Sequence, residues 1–386
     1  MKFHMMNRWA LGATVSLSLL ITILFLLFYS NSTAKGSASP ESEIRSEFKI
    51  QSSSVKDTSL SLNPSVSSSA TGSSSSSKLP HSSTSSVSKS FQELQKKYQL
   101  ILIPTYDGSN QLTHPKILYF QNGWNGYKYW MVMTPYPYSN DDYENPSIVV
   151  SNDGIHWNPP NGLKNPVSGI PKDVGSGGHF SDPHLVMRGE QMELWYRYNP
   201  ALKNNKKKKV ADNSINIYYR KISKDGIHWT NAQKMMQSKD GHLSLCVNYQ
   251  NGLYKIWYAT YDGFLYHSES VDAQKWSSPV RCIVPLPKGY QPYHQDIVQN
   301  GSDFYLLQTA ERKSTYTFQL FLLKSQDGIH FTNMAQIYPE GDRALWKNIS
   351  FYRSTFFVKD NRLNLYISLI IPNWKWYITK YNVLLS

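Results

Sequence analysis

The sequence is poor in the residues from which most recognisable reaction centres are built. Its 386 residues include two cysteines, Cys246 and Cys282, too few for a disulfide framework and too far apart for a Cys-x-x-Cys metal or redox site. His-Glu-x-x-His, a phosphate-binding P-loop and a glycine-rich dinucleotide fingerprint are missing as well, so neither a metal nor a cofactor is expected. Acids are outnumbered: 27 Asp and Glu stand against 40 Lys and Arg, a formal net charge of +13. That balance favours anionic surroundings such as wall polymers or phospholipid headgroups. Nucleic acid is not expected as a partner, because the chain carries no nucleic-acid-binding motif and reads as exported. Part of the positive excess lies in the run Lys206 to Lys209, expected to be a solvated hairpin loop.

Charge is wholly absent from Trp9 to Ala34, and the most apolar part runs from Leu11 to Tyr29. About 20 apolar residues span a bilayer as a helix, whereas a cleaved signal peptide has a shorter apolar core. Residues 1–30 are therefore expected to be a cytoplasmic tip and a single transmembrane signal-anchor. Lys2 and Arg8 on the short side put the N-terminus in the cytoplasm and the rest of the chain outside the cell. Residues 31–90 are rich in Ser, with Ser73 to Ser77 unbroken, and poor in apolar side chains. Such a stretch cannot bury enough surface to offset its ordering entropy and is expected to be a disordered tether. Residues 91–386 remain for one folded domain.

What that domain has in abundance is aromatic residues, 14% of the chain, and a phrase that recurs. Ser151-Asn-Asp-Gly-Ile-His-Trp157 returns as Ser223-Lys-Asp-Gly-Ile-His-Trp229 and Ser325-Gln-Asp-Gly-Ile-His-Phe331, with a worn copy at Ser270-Val-Asp-Ala-Gln-Lys-Trp276. Each follows a run of β-branched and aromatic residues, and Asp-Gly after such a run marks a tight turn between strands. A four-stranded unit needs roughly 40–50 residues, so the period predicts an all-β fold, a five-bladed β-propeller. The turn acids Asp153, Asp225, Asp272 and Asp327 are expected to brace the fold rather than to react. Leu100-Ile-Leu-Ile-Pro104 is left over before the first blade and is placed to pair with the C-terminal strand and close the ring.

Inner strands that open with an acid or His followed by Pro, five blades, and Ser-x-Asp-Gly-x-x-Trp turns together resemble the five-bladed propeller glycosidases, the group holding glycoside hydrolase families 43, 32, 68 and 117. The resemblance implies three carboxylates in the mouth of the central channel. Asp182, in the run Ser181-Asp-Pro-His, matches the acid that opens blade two and holds the sugar or tunes a pKa. The position that opens blade one holds His114 rather than Asp, and blade three offers Leu243-Ser-Leu-Cys with no Glu. The paired carboxylates of ordinary glycoside hydrolysis are thus incomplete.

Strand direction supplies other candidates. If each inner strand starts at the mouth, the turn between the second and third strands opens on the same face. That face then receives Glu144, Asn145, Arg197, Asp262, His294 and Asp296, while the Asp-Gly turns fall on the opposite face. Trp124, Tyr136, Trp346 and Trp374 are candidates for stacking on sugar rings. Two functions are compatible with this set. One is a membrane-anchored, glycoside-hydrolase-like enzyme acting on a cell-surface or extracellular polysaccharide, with Asp296 or Glu144 as base, His294 or His114 as proton donor and Asp182 orienting the sugar. The other is a carbohydrate-binding propeller that has lost the chemistry. A monomer is expected in either case.

Overall fold

The structure is a computed structural model and describes residues 89–202, 210–339, 343–346 and 349–385. The expected anchor, nearly all of the expected tether and the lysine run 206–209 lie outside the described residues. Among the described residues no helix is long and apolar enough to cross a membrane.

Five antiparallel sheets form in chain order, and they are the five blades. Their inner strands are Leu112–Trp124, His179–Arg188, Leu243–Gln250 and Tyr290–Asn300, and in blade five the pieces Ser350–Phe351 and Thr355–Lys359. The ring closes as the sequence predicts: Leu100–Ile101 pairs with the C-terminal strand Lys375–Leu384, Leu100 opposite Thr379 and Ile101 opposite Ile378. A short helix, Lys89–Tyr98, precedes the closing strand and packs Phe91 and Tyr98 into the core of blade five. Joining first and last segments in one sheet ties the two ends of the ring together at the seam.

The repeated phrase is a brace between blades. In the second copy the Asp225 carboxylate accepts backbone N–H bonds from Ile227 (2.8 Å) and His228 (2.7 Å), and its other oxygen lies 2.6 Å from His228 Nδ1. The hydroxyl of Ser223 accepts from the Gly226 N–H at 2.8 Å. This locks Gly226 at φ +76°, with its Cα hydrogens against the indole of Trp130 in the preceding blade; a Cβ there would lie 2.2 Å from Trp130 Cζ3. The fourth blade repeats the contact, since Trp257 Nε1 of blade three donates to Gly328 O at 2.7 Å. Blade one presses Gly154 on Tyr366 of blade five, whose hydroxyl donates to Gly154 O at 2.9 Å. The turn glycine is therefore the absence of a side chain that lets a neighbouring aromatic ring close the wedge. Trp130 and Trp257 on the middle strands are fully buried as a result. Cys246 and Cys282 are both buried and unbonded.

Partial burial raises the pKa of Asp225, but bonds from His228, Ile227 and Ser223 more than offset this and hold it below the ordinary 3.8. Its contribution to stability is thus complete above that pH and is lost as pH falls below it. Asp225→Ala is expected to cost about 1–2 kcal/mol at neutral pH, and variant and parent should converge in acid. Gly226→Ala should cost more, because it adds overpacking of about 1–3 kcal/mol to a left-handed backbone. Gly126→Ala, at φ +86° but with nothing within 4 Å, should pay the backbone cost alone. Chemical denaturation of the three variants checks the order.

Candidate functional site at the channel mouth

Each blade sends two side chains, two residues apart, from its inner strand into the central channel. The upper layer is His114, Asp182, Ser244, His294 and Arg353; the lower is Lys116, His184, Cys246, Asp296 and Thr355. The strands reach this arrangement by breaking register. Pairing skips between Thr113 and Lys116, between Ser181 and His184, and between Leu243 and Cys246. At the skipped positions His114, Asp182 and Ser244 take left-handed backbone, with φ of 54°, 48° and 49°. Non-glycine residues in that region cost about 1–3 kcal/mol each and collect where a site over-determines them. Here the strain turns the side chain inward at the rim of the channel.

Asp182 is the hub of the upper layer and is fully buried. Its carboxylate accepts from Ser244 N–H (3.2 Å) and the Ser244 hydroxyl (3.0 Å), and Arg197 Nε lies 3.0 Å away. His114 Nε2 approaches the same group at 3.5 Å, His294 Nδ1 at 3.7 Å and Arg353 Nη1 at 3.8 Å. Glu144, from the loop before the third strand of blade one, reaches His114 Nδ1 at 3.2 Å and His179 Nε2 at 3.8 Å. Burial would raise the Asp182 carboxyl, but Arg197 and the groups around it hold it well below the carboxylate range. Burial, with the charges of Asp141 and Asp182, pushes Glu144 well above that range. Burial lowers His114 to about 3 and His294 well below its ordinary value, so both imidazoles are neutral.

Hydrogen-bond accounting fixes the tautomers. The single proton of the Ser244 hydroxyl goes to Asp182, so in its close contact with His294 the hydroxyl accepts and His294 Nδ1 donates. The Thr134 hydroxyl donates to Thr113 O, so it accepts from His114 Nδ1 at 3.2 Å. Both Nε2 atoms then carry a lone pair, and both are buried without a hydrogen-bond partner among the described residues. One ligand atom from each of His114, Asp182 and His294 lies within 4.8 Å of the others. Two neutral imidazoles and an ionised carboxylate are a donor set that holds a divalent cation and leaves positions open for water or substrate. No motif announces it, because the three donors come from three blades.

His184, Cys246 and Asp296 form a second close group one layer down. It fits a metal less well, because burial pushes the Cys246 thiol up to about 12, His184 Nε2 is taken by Val247 O at 3.1 Å, and the Lys116 ammonium sits 2.7 Å from Asp296 Oδ1. Asp296 Oδ2 accepts from the Thr355 hydroxyl at 2.7 Å and the Phe356 N–H at 3.4 Å. Asp296, expected at the mouth as a base, is therefore a buried counter-ion beneath it. Alternation along the strand places it on the same side as His294, yet two residues deeper in the channel.

Three other expectations need correction. Trp124 ends the inner strand of blade one at the far face, packed edge-on to Trp130 beside the turn of blade two. A strand that starts at the mouth with His114 must carry its tenth later residue to the opposite side. Trp346, on the short helix Arg343–Trp346, is buried beside Tyr98 and Phe351 in the core of blade five. Asp262 is on the mouth face but tied into its own turn, accepting from Phe264 N–H at 3.3 Å and contacting the Thr260 hydroxyl. It lines a peripheral cleft of about 520 Å³ with His242 and Tyr261. Asn145 sits beside Glu144, its amide donating to Tyr106 Oη at 2.9 Å. Tyr136 is at the mouth, donating to Asp141 Oδ1 at 2.8 Å and packed edge-on to Trp376. Sequence reasoning missed Ser244, Arg353, and the aromatic wall of Tyr293, Tyr352 and Trp376, in which Tyr352 lies 4.6 Å from the His294 ring and 5.1 Å from Trp376.

Asp296→Asn should leave the Lys116 ammonium buried without its counter-ion, at a cost of about 3–5 kcal/mol. Circular dichroism melting checks this. An unchanged melting temperature with lost activity would return Asp296 to the chemistry.

No protein-family model matches the chain. A curated relative, the A type blood N-acetyl-α-D-galactosamine deacetylase of Flavonifractor plautii, is 27% identical over 301 residues, which cover 64% of this chain and 38% of that protein. The chain thus spans little more than a third of the length of this relative. Among solved structures, that of an N-acetylgalactosamine deacetylase from Flavonifractor plautii in complex with blood group B trisaccharide superposes with a TM-score of 0.60 at 21% identity, covering 74% of this chain and 93% of that one. An exo-β-1,3-galactanase from Phanerochaete chrysosporium, solved with galactose, superposes with a TM-score of 0.51 at 11% identity over 74% of this chain and 66% of that one. By fold, the chain is a five-bladed β-propeller, the architecture it shares with these structures.

Proposed function

We propose that the channel mouth is a metal-assisted hydrolytic centre that removes the acyl group from an N-acylated amino sugar of a glycan. The observation that carries this reading is that His114, Asp182 and His294 each bring one donor atom within 4.8 Å of the others, while one imidazole nitrogen of each histidine is buried with no hydrogen-bond partner among the described residues. The deacetylase named among the relatives supports it. A divalent cation on these three residues would supply Lewis acidity and an acidified water. Glu144, beside His114 and pushed well above its ordinary range, is suited to take a proton from the attacking water and return it to the departing nitrogen as the C–N bond breaks. Arg197 and Ser244 fix the Asp182 carboxylate. Tyr136, Tyr293, Tyr352 and Trp376 give the sugar an aromatic wall.

Glycoside cleavage is the second reading, favoured by the opposite shifts of Glu144 and Asp182. Against it, Asp182 is fully buried and its oxygens are engaged by Ser244 and Arg197, which leaves little capacity for nucleophilic attack. The products separate the readings. Oligosaccharides ending in N-acetylgalactosamine or N-acetylglucosamine should release acetate and a free amine, in a reaction stopped by chelator and restored by added Mn²⁺, Co²⁺ or Zn²⁺. Asp182→Ala should lower the rate at least about a hundredfold. Release of a monosaccharide would favour the glycosidase, and binding with neither product would leave a carbohydrate-binding propeller.

The substrate class extends to cell-surface and cell-wall glycans if the chain is anchored. The uncharged run from Trp9 to Ala34 and the Ser-rich residues after it support a monomeric propeller held outside the cell by one membrane helix. Full-length protein should then fractionate with membranes, and protease added to intact cells should free a stable fragment beginning near Ser88. A soluble product cleaved near Ala34 would defeat the anchor.

A further inference from the structure

Arg353 is the group at the mouth that nothing yet described uses. It is fully buried, and among the described residues none of Nε, Nη1 or Nη2 has a hydrogen-bond partner. Its one charge contact among the described residues is Asp182 Oδ1 at 3.8 Å, an oxygen that already accepts the Ser244 hydroxyl at 3.0 Å. The other mouth arginine is different. Arg197 pairs with Asp182 at 3.0 Å and also donates to Ser181 Oγ at 3.0 Å and Asn216 Oδ1 at 3.3 Å. The negative charge of Asp182 is thus matched by Arg197. Asp296, the acid of the layer below, is matched by Lys116. Five N–H donors and one positive charge remain over on a side chain that is itself out of contact with bulk water.

Burying a guanidinium that way costs several kcal/mol unless an anion answers it. Arg353 falls in a break of the inner strand of blade five: the ladder runs in register through Tyr352 N–H to Ser368 O at 2.9 Å and resumes at Thr355 opposite Tyr366. Arg353 Nη1 reaches the same Oδ1 that His114 Nε2 approaches at 3.5 Å and His294 Nδ1 at 3.7 Å. Its free donors therefore lie beside the proposed cation site, and a planar guanidinium matches a carboxylate in two parallel bonds.

We infer that Arg353 receives the anionic oxygen of the reaction: first the oxygen that becomes negative as water adds to the acyl carbon, then the carboxylate that leaves. This rests on the hydrolase reading above. In balance, the water oxygen bonds to the acyl carbon, the C–N bond breaks, both water protons pass to the nitrogen, one of them by way of Glu144, and the products leave as an ammonium and a carboxylate, the carboxylate departing from Arg353.

The test uses the full-length chain and its Arg353→Met and Arg353→Lys variants, with sodium acetate as probe against sodium chloride at equal ionic strength. Acetate should raise the melting temperature of the parent and bind measurably by calorimetry, bind more weakly to the Lys variant, and give no response with the Met variant. In acetate-free buffer the Met variant should melt no lower than the parent, and up to roughly 2–4 °C higher, because a buried charge without hydrogen bonds has been removed. On neutral N-acetylated glycans the Met variant should lose about a hundredfold or more in kcat with KM little changed. Undiminished acetate binding by the Met variant overturns the inference, as does a lower melting temperature, which would make Arg353 a structural partner of Asp182. Loss of rate confined to uronate-bearing glycans also overturns it, since the anion would then belong to the substrate. If the parent turns over no acylated glycan yet binds acetate through Arg353, the anion site stands and the hydrolase reading falls. If glycans are turned over and Arg353→Met keeps its kcat, the reverse holds.

Discussion

The mouth of this propeller depends on one buried carboxylate. Asp182 is bonded by blade three through Ser244, paired by Arg197 within its own blade, and approached by His114, His294 and Arg353 from blades one, four and five. Every blade thus meets at a single negative charge. Taking it out of water is costly, and only the surrounding cations and donors make it tolerable. Burial, which outweighs the opposing charge of Asp182, keeps both histidines neutral, which is the form a metal ligand needs. Structure and proposed chemistry therefore share one group.

The two faces of the ring spend their backbone strain differently. On the far face the left-handed positions fall mostly to glycine, and the missing Cβ admits an aromatic ring from the next blade. At the mouth they fall to His114, Asp182 and Ser244, side chains that bear chemistry. Glycine makes the first kind of strain cheap and stabilising. The second kind is a cost that the surrounding bonds must offset, and it ends with polar atoms held in the channel.

This division explains what could be read from the sequence. The turns were legible because Asp-Gly chemistry is local: four copies mark four blades, and the closing pair of Leu100–Ile101 with the last strand follows from counting strands. His114 and Asp182 were legible because a proline follows each. Ser244 and Arg353 occupy the same structural position, but no proline and no acid marks them, and a serine or an arginine opening a strand looks like any other. Asp296 was overvalued because alternation gives the side of a strand and not the depth in the channel. Trp124 failed for a related reason: strand length carries it to the other face. Trp346 and the aromatic wall of Tyr293, Tyr352 and Trp376 depend on contacts between blades far apart in sequence, which no local pattern encodes.

The central claim is that His114, Asp182 and His294 act together as a cation-binding hydrolytic centre. Metal content measured on chelator-treated and re-loaded protein, in the same samples assayed for acetate release, addresses it most directly. The account predicts one divalent ion per chain in the parent, release of acetate in proportion to occupancy, and loss of both in His114→Ala and His294→Ala variants that still fold. Full activity in metal-free protein, or unchanged metal binding in both variants, would contradict it.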